Sequence, residues 1–253
     1  MILCIDIGNS NIVLGTVKDG KVLSTYRLVT DDKMTADEYY HKLKQFVNNE
    51  EIEGVALSSV VPALDLVFKE LCRKYYHLKP FVVGPGIKSG LKLKIEEPKS
   101  LGSDLLCDAV GAFCKYHKDS IIIDLGTANK LVIVNKKGEY LGGMIAPGII
   151  GSLNSLISNA AKLSYTTIEV PPHVVGNNTA TCIQSGIVYG TASMIDGMVQ
   201  RSVEELGFSD YEVILTGGLS VVVKDVLRTK CHFEPNILIE GLYELYSKNK
   251  EIN

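Results

Sequence analysis

The sequence predicts an α/β protein made of two related halves around a shared cleft. Three observations predict it. IDIGNSNIVLGTVKDGKVL at residues 5–23 is echoed by IDLGTANKLVIVNKKGEYL at 123–141. Each copy sets Asp after Ile, Gly two residues later, small polar residues, a β-rich run and a Lys/Gly turn. The apolar periodicity reads βββαβαβ, then a helix, then two strands and a helix again. No linker rich in Pro, Ser or charge divides the copies, so the halves should pack tightly. The expected boundary falls between 117 and 118, giving lobes at 1–117 and 118–253.

MILCIDIG and NIVLGTV read as strands joined by a tight polar turn, and KVLSTYRL as a third. Thr35 and Glu38 form a T-x-x-E capping box that opens a helix. Tyr40, Leu43, Phe46 and Val47 mark its buried face. GVALSSVVP is a buried strand ended by Pro62. Leu64, Val67, Phe68, Leu71 and Tyr75 follow at helical spacing. PFVVG is another strand, and GPGIKSGLKLKIEEP an extended loop. LGSDLLCDAVGAFCKY is a helix with Ser103 or Asp104 at its N-terminus.

IIIDLG starts the second half. After GGMIAPGI come helices near 150–162 and 178–206. The second of these carries Gly186, Gly190, Ala192, Ser193 and Gly197. So many small residues predict either a backbone packed very close or a broken helix. VILTGGLS is a strand, turn and helix. A short strand and the helix GLYELYSKN close the pattern.

Composition excludes several classes. Of 253 residues, 46% are apolar and the formal charge is −3, so no basic surface for nucleic acid is expected. No run reaches the ~18 apolar residues of a membrane span. MILCIDIG is a strand rather than a signal segment, which predicts a cytoplasmic protein. The six cysteines form no CxxC and the five histidines no HExxH. Buried free thiols are expected.

The twin turns suit polyphosphate. Glycine lets backbone approach a ligand closely. Backbone N–H groups and small hydroxyl or amide side chains donate to phosphate oxygens. An aspartate can hold a metal ion beside those oxygens. One such turn alone is an ordinary hairpin turn. Two, with LTGGLS available to sit under a base, predict a nucleotide gripped from both sides. The Walker pattern GxxxxGK[ST] is absent, GPGIKSG lacks the last glycine of GxGxxG, and no G-x-S-x-G elbow occurs.

DIGNSN, SSVVP, VVGPGIKSGL, LGSD, IDLGTA, YLGGMIAPGI, AAKL, VVGNNT, QSGIVYG and TGGL occur in that order. Together they resemble the bacterial type III pantothenate kinases, within the acetate and sugar kinase/Hsp70/actin superfamily. The resemblance implies two actin-like (ribonuclease H-like) lobes around a nucleotide cleft, and a homodimer. It implies ATP-dependent phosphorylation of pantothenate to 4′-phosphopantothenate, with Mg2+ and a monovalent cation, K+ or NH4+. No nucleic acid or membrane partner is implied.

Matched residue by residue, the resemblance makes Asp104 the general base. Asp6, Ile7, Gly8, Asn9, Ser10, Asn11, Ile12 and Val13 become the first phosphate element, with Asp6 near magnesium. Gly126 and Thr127 become the second, and Asp124 the ligand of the monovalent cation. Gly102, Ser103, Asp104, Leu105 and Thr179 become substrate contacts, Thr179 reaching across a dimer interface. Read without the resemblance, Asp104 and Thr179 are helix caps, and Asp6 and Asp124 turn residues.

Three departures stand out. The family pattern G-A-D-R is Gly102-Ser103-Asp104-Leu105 here, so the arginine beside the base is missing. Its tyrosine before the acidic-Pro stretch is Ile95. Its second loop, D-F-G-T-A-T-T, is D-L-G-T-A-N-K, ending in Asn129-Lys130. Lys130 has two readings: an ammonium replacing the monovalent cation, or a solvent-facing strand lysine. Activity also has two readings. The chain is a pantothenate kinase, or a divergent paralogue that binds nucleotide as a regulatory partner or phosphorylates a less polar small alcohol.

Overall fold

The computed structural model describes residues 1–47, 51–160 and 165–250. It divides into two compact units. The first comprises Met1–Lys115 with the chain from Asn236 onward, the second Tyr116–Pro235.

The first unit opens with β1 (Ile2–Ile7), β2 (Asn11–Lys18) and β3 (Lys21–Val29). Helix α1 (Ala36–Leu43), β4 (Gly54–Ser59), α2 (Pro62–Leu71), β5 (Phe81–Val82), β6 (Lys92–Leu93) and α3 (Ser103–Tyr116) follow. The sheet order is β3-β2-β1-β4-β5. β1 and β4 are parallel, and β1–β2–β3 is an antiparallel meander. Every residue of β1 is buried, as expected of a central strand covered on both faces.

The capping box at α1 is present: Thr35 Oγ1 accepts the Glu38 N–H, and Glu38 Oε2 accepts the Thr35 N–H at 2.8 Å. Its buried face differs from the expected one. Tyr39, rather than Tyr40 and Phe46, enters the core with Leu43 and Val47. Tyr39 can be buried because its hydroxyl donates to Asp31 C=O and accepts the Asp31 N–H. Tyr40 stacks on Tyr75 and Phe46 on Tyr26 at the edge. Pro62 opens α2, where a missing N–H costs nothing.

The closing helix α7 (Ile237–Asn249) belongs to this unit, whereas the sequence reading put it in a lobe spanning 118–253. Glycines admit it. A Cβ on Gly15 would meet Ile239, and one on Gly54 would meet Tyr246. A Cβ on Gly241 would lie 1.9 Å from Cys107 O, and one on Gly111 2.3 Å from Ile237 O. Helices α3 and α7 therefore cross backbone to backbone.

The second unit holds β7 (Asp119–Leu125), β8 (Ala128–Val134), β9 (Glu139–Pro147) and α4 (Ile149–Asn159). Then come α5 (Thr179–Leu206), β10 (Tyr211–Thr216), α6 (Ser220–Val223) and β11 (His232–Phe233). The strands run β11-β10-β7-β8-β9, with β7–β8–β9 an antiparallel meander. Both units thus place a buried strand, a tight turn and a second strand at their start. The end of the helix expected near 150–162, and part of AAKL, lie outside the described residues.

Helix α5 is unbroken, with Asn178 as its N-cap and Gly207 ending it in the left-handed region. Its apolar face, including Val188, Ile195 and Val199, packs on Ile121, Ile123 and Leu215. Each such burial is worth ~1.5–3 kcal/mol. Its small-residue face is different. Among the described residues, Cβ atoms on Gly186, Gly190 and Gly197 would meet nothing within 4 Å, so none of these residues supplies close-packed backbone there. Among the described residues, no helix is long and apolar enough to cross a membrane. All six cysteines are free; Cys4, Cys72 and Cys107 are buried as expected, but Cys182 is exposed on α5.

Candidate active site

The first loop is a hairpin tip closed by glycine. β1 and β2 stay in register to Ile7–Ile12. The Gly8 N–H then donates to Asn11 C=O at 3.0 Å. A Cβ at Gly8 would sit 2.9 Å from that oxygen, so the turn needs glycine. Thr30 braces the tip from behind: its hydroxyl donates to Gly8 C=O at 2.6 Å and its N–H to Ser10 C=O. No sequence pattern singled out Thr30. Asn9 and Ser10 are exposed at the tip, with Asn11 and Val13 partly buried. Ile7 and Ile12 lie wholly in the core, so only their backbone can serve a ligand.

Asp6 is buried at the end of β1, where its carboxylate accepts the Ser58 hydroxyl at 2.7 Å. Ser58 is its direct neighbour on β4. Ser58 in turn touches Ser103 at 3.0 Å, on the first turn of α3. Asp6 and the turn bearing Asp104 are therefore joined through two buried hydroxyls. Cys107, one turn further along, lies against Ser58. Its thiol is pushed well up by burial first, then by the charges of Asp6, Asp108 and Asp104.

Asp104 is not the cap of α3. Gly102 C=O accepts the Leu106 N–H, which makes Gly102 the cap and puts Asp104 in the first turn. Asp104 Oδ1 accepts the Leu105 N–H at 2.9 Å. A Cβ at Gly102 would lie 2.6 Å from that same oxygen. Glycine at 102 thus leaves room for the carboxylate. Leu105 and Ile95 are both partly buried.

The second loop repeats the hairpin with a harder floor. The Gly126 N–H donates to Ala128 C=O at 3.1 Å, and Thr127 is exposed. A Cβ on Gly148 would strike the carbonyls of Gly126 and Thr127. Gly217, at φ +91°, comes so close that a Cβ would strike Asp124 and Leu125. The TGG turn is therefore packed against Asp124.

Lys130 lies directly opposite Asp124 on β8. Its ammonium is 2.5 Å from Asp124 Oδ2, and the two side chains are 16% and 11% exposed. The reading of Lys130 as a solvent-facing lysine is therefore corrected: opposite register and opposite charge draw it onto the aspartate. Asn129 points to the other face, buried, donating to Pro147 C=O.

Thr179 is the first residue of α5 and exposed, but the cap is Asn178, which forms a capping box with Thr181. Thr179 lines a cavity of about 910 Å³ with Ser152, Leu156, Asn177, Cys182 and Ile183. None of the phosphate-loop residues lines it.

A sequence model of type III pantothenate kinases matches residues 2–201. The chain belongs to the type III pantothenate kinase family. Solved structures share the fold at low identity. A Campylobacter jejuni protein, provisionally described as a conserved Baf family transcriptional activator, is 18% identical over 98% of this chain and 99% of its own, at a TM-score of 0.62. Component A of the (R)-2-hydroxyglutaryl-CoA dehydratase of Acidaminococcus fermentans is 14% identical over 100% and 99%, at 0.58. An inorganic polyphosphate/ATP-glucomannokinase from Arthrobacter is 14% identical over 98% and 98%, at 0.50. The two-unit α/β architecture is thus the actin-like one.

Type III pantothenate kinases are phosphotransferases, and such kinases take ATP with a divalent metal. The donor set fits magnesium. Among the described residues no three His, Cys, Asp or Glu side chains converge on one point. Magnesium needs no such cage, since it keeps waters and is held by one or two carboxylates and the substrate's phosphates. A monovalent cation at Asp124 fits less well, because the Lys130 ammonium already lies against that carboxylate.

Proposed function

We propose that the protein transfers the γ-phosphoryl group of ATP to the primary hydroxyl of pantothenate, forming 4′-phosphopantothenate, in the cytoplasm. The reading is carried by the family match over residues 2–201, taken with the Asp104 carboxylate held in the first turn of α3. Asp104 accepts the hydroxyl proton as the oxygen attacks phosphorus. A new O–P bond forms, the bond to the β-phosphate oxygen breaks, and ADP leaves. Magnesium, when bound, neutralises charge on the phosphates.

The protein's own task is positioning. The Gly8 and Gly126 N–H groups close the two turns, and the N–H groups that follow them at the loop tips donate to phosphate oxygens. Asp6 faces the metal. Lys130 supplies a fixed positive charge at Asp124, in the role of a monovalent cation. Gly102, Ser103, Leu105 and Thr179 contact the acceptor. The first unit carries the base and first loop, the second the other loop and the nucleotide-base turn.

The homodimer has support on α5. Among the described residues nothing covers its Gly186, Gly190 and Gly197, and Leu156, Val174 and Val175 are exposed apolar side chains. A second copy of this helix would fill that face and bring Thr179 to the partner's acceptor.

A second reading keeps nucleotide binding but changes or loses the acceptor. Leu105 favours it, since leucine cannot make the charge-assisted bond of an arginine. Phosphopantothenate formation from ATP, Mg2+ and pantothenate, beside an Asp104→Asn control, separates the two. Product lost in the control supports the first reading. No product from a folded wild-type protein that binds ATP supports the second.

A further inference from the structure

The first unit holds a cavity of about 730 Å³ beside the end of α2, and its described lining is cationic and apolar only. Lys69, Arg73, His77 and Lys79 supply the cationic side chains. Leu78, Pro80 and Val82 supply the rest, with Pro80 buried and Val82 on β5, the last strand of the sheet. No acid is among the described lining residues, although the chain carries 29 acidic residues against 26 Lys and Arg.

Local geometry gathers these side chains. Lys69, Arg73 and His77 stand four residues apart. In an α-helix that step overshoots a full turn by about 40°, so such a row drifts round the axis. Here a π-helical turn over Cys72–Tyr76 follows α2, and its wider winding takes the drift back. His77 leaves the helix at φ +56°, in the left-handed region. The Leu78 N–H donates to Cys72 C=O at 3.3 Å, which turns the chain back so that Lys79 and Pro80 line the same cavity.

Elsewhere cations are matched. Lys74, next to Arg73, is paired with Asp37 at 2.7 Å, and Lys118 with Asp210 and Glu212 at 2.9 Å. Among the described residues, none of the four cavity side chains has an ion pair or a side-chain hydrogen bond. The negative end of a helix favours cations in its last turn, which accounts for Arg73 and His77. It does not account for Lys69, a turn earlier, or for Lys79, beyond the helix. Lys69 and Arg73, at i and i+4, repel one another until an anion lies between them.

A cleft lined by one sign of charge concentrates counter-ions. Arginine grips a phosphate or carboxylate with two parallel N–H donors. The apolar floor and the lysine stems suit a hydrocarbon portion. A concavity of this size takes one small molecule. We propose that this cavity binds a small organic anion, a phosphate monoester or carboxylate with a compact apolar body. The site stands apart from the proposed catalytic one: none of Asp6, Gly8, Asp104, Gly126 or Thr127 lines it.

The probe is n-hexyl phosphate, titrated by calorimetry into the whole protein beside hexanoate, inorganic phosphate and hexanol. Hexyl phosphate should bind at least about tenfold tighter than inorganic phosphate or hexanol. Arg73→Gln should weaken that binding about tenfold, and Lys79→Glu further. Lys74→Gln, beside the site but already paired, should stay within about twofold of wild type. All three side chains are exposed, so the variants should fold. Binding to folded wild type weaker than about a millimolar would overturn the proposal. So would a loss in Arg73→Gln no greater than in Lys74→Gln, which would mark a diffuse field. Equal affinity for hexyl phosphate and inorganic phosphate would refute the apolar part. Phosphatidylglycerol vesicles are the last arm. If they bind through Arg73 while the soluble anions do not, the surface serves a membrane and the small-molecule site is refuted.

Discussion

Asp124 and Lys130 face each other across the β7–β8 hairpin, with 2.5 Å between carboxylate and ammonium. Both are largely buried, so the pair is hardly screened by salt. On the proposed reading, a fixed ammonium there takes the place of added potassium. We expect turnover to vary less than about twofold between potassium and a bulky organic cation. Lys130→Met should leave Asp124 uncompensated, cost ~3–5 kcal/mol of stability, and bring a potassium requirement. Wild-type activity that climbs steeply with potassium would refute the assignment.

Gly102 makes room for Asp104. In Gly102→Ala the new methyl would press on Oδ1 of Asp104, the proposed base, and displace it. Misplacing a catalytic group by an ångström can cost about a hundredfold. We expect kcat to fall by at least tenfold while the melting temperature barely changes. A variant with normal kcat would show that the carboxylate works from another rotamer.

The α3–α7 crossing tolerates no side chain. Gly241→Ala puts a methyl against Cys107 C=O, and Gly111→Ala puts one against Ile237 C=O. Backbone cannot yield as a side chain does, so each should cost ~3 kcal/mol or more. Urea denaturation reads this directly.

Thiol reactivity separates the cysteines. Burial pushes Cys72 up to about 12 and raises Cys4 and Cys107. The thiolate is the reactive form, so these three should resist thiol reagents at pH 8 in the native state. Exposed Cys182 should react first. It shares a face of α5 with Gly186 and Gly190, so its labelling should slow as protein concentration rises if copies pair there. Labelling independent of concentration, with a monomeric mass by light scattering, would sink the dimer.

Acid should loosen the start of β10. Glu212 is held below its ordinary 4.5 chiefly by a hydrogen bond from Lys118, with His232 adding to it. A depressed carboxyl contributes stability that is complete above its unfolded value and fades as pH falls through the folded one. The urea midpoint should therefore drop below about pH 4.5 more in wild type than in Lys118→Met. Parallel profiles would show the cluster is energetically idle.

Much of the fold was legible because its signals are local. The repeated hairpin needs only a buried strand, a glycine and a second strand, and both copies formed as read. The Thr35/Glu38 box lies within one turn. What escaped was set by contacts distant in sequence. Tyr39 could enter the core only because Asp31 satisfies its hydroxyl. PFVVG shrank to Phe81–Val82. Thr30, just after β3, and Ser58 on β4 support the first loop, and neither forms a motif with the residues it holds. Close backbone approach occurs at Gly111 and Gly241, which no sequence pattern singled out, while among the described residues nothing lies over Gly186, Gly190 and Gly197 of α5.

The helix that completes the first unit is made only after the whole of the second. Asn249 exchanges hydrogen bonds with Lys88, 161 positions earlier, and Ile239 fills the space over Gly15. During synthesis the first sheet would emerge with that face bare and wait for the second unit, contiguous in sequence, to be translated and folded. Such non-local closure is slow and exposes apolar surface on the way. A ribosome stalled before Ile237 should therefore carry a nascent chain that chaperones hold, and loss of this helix should harm solubility before it harms any single chemical step.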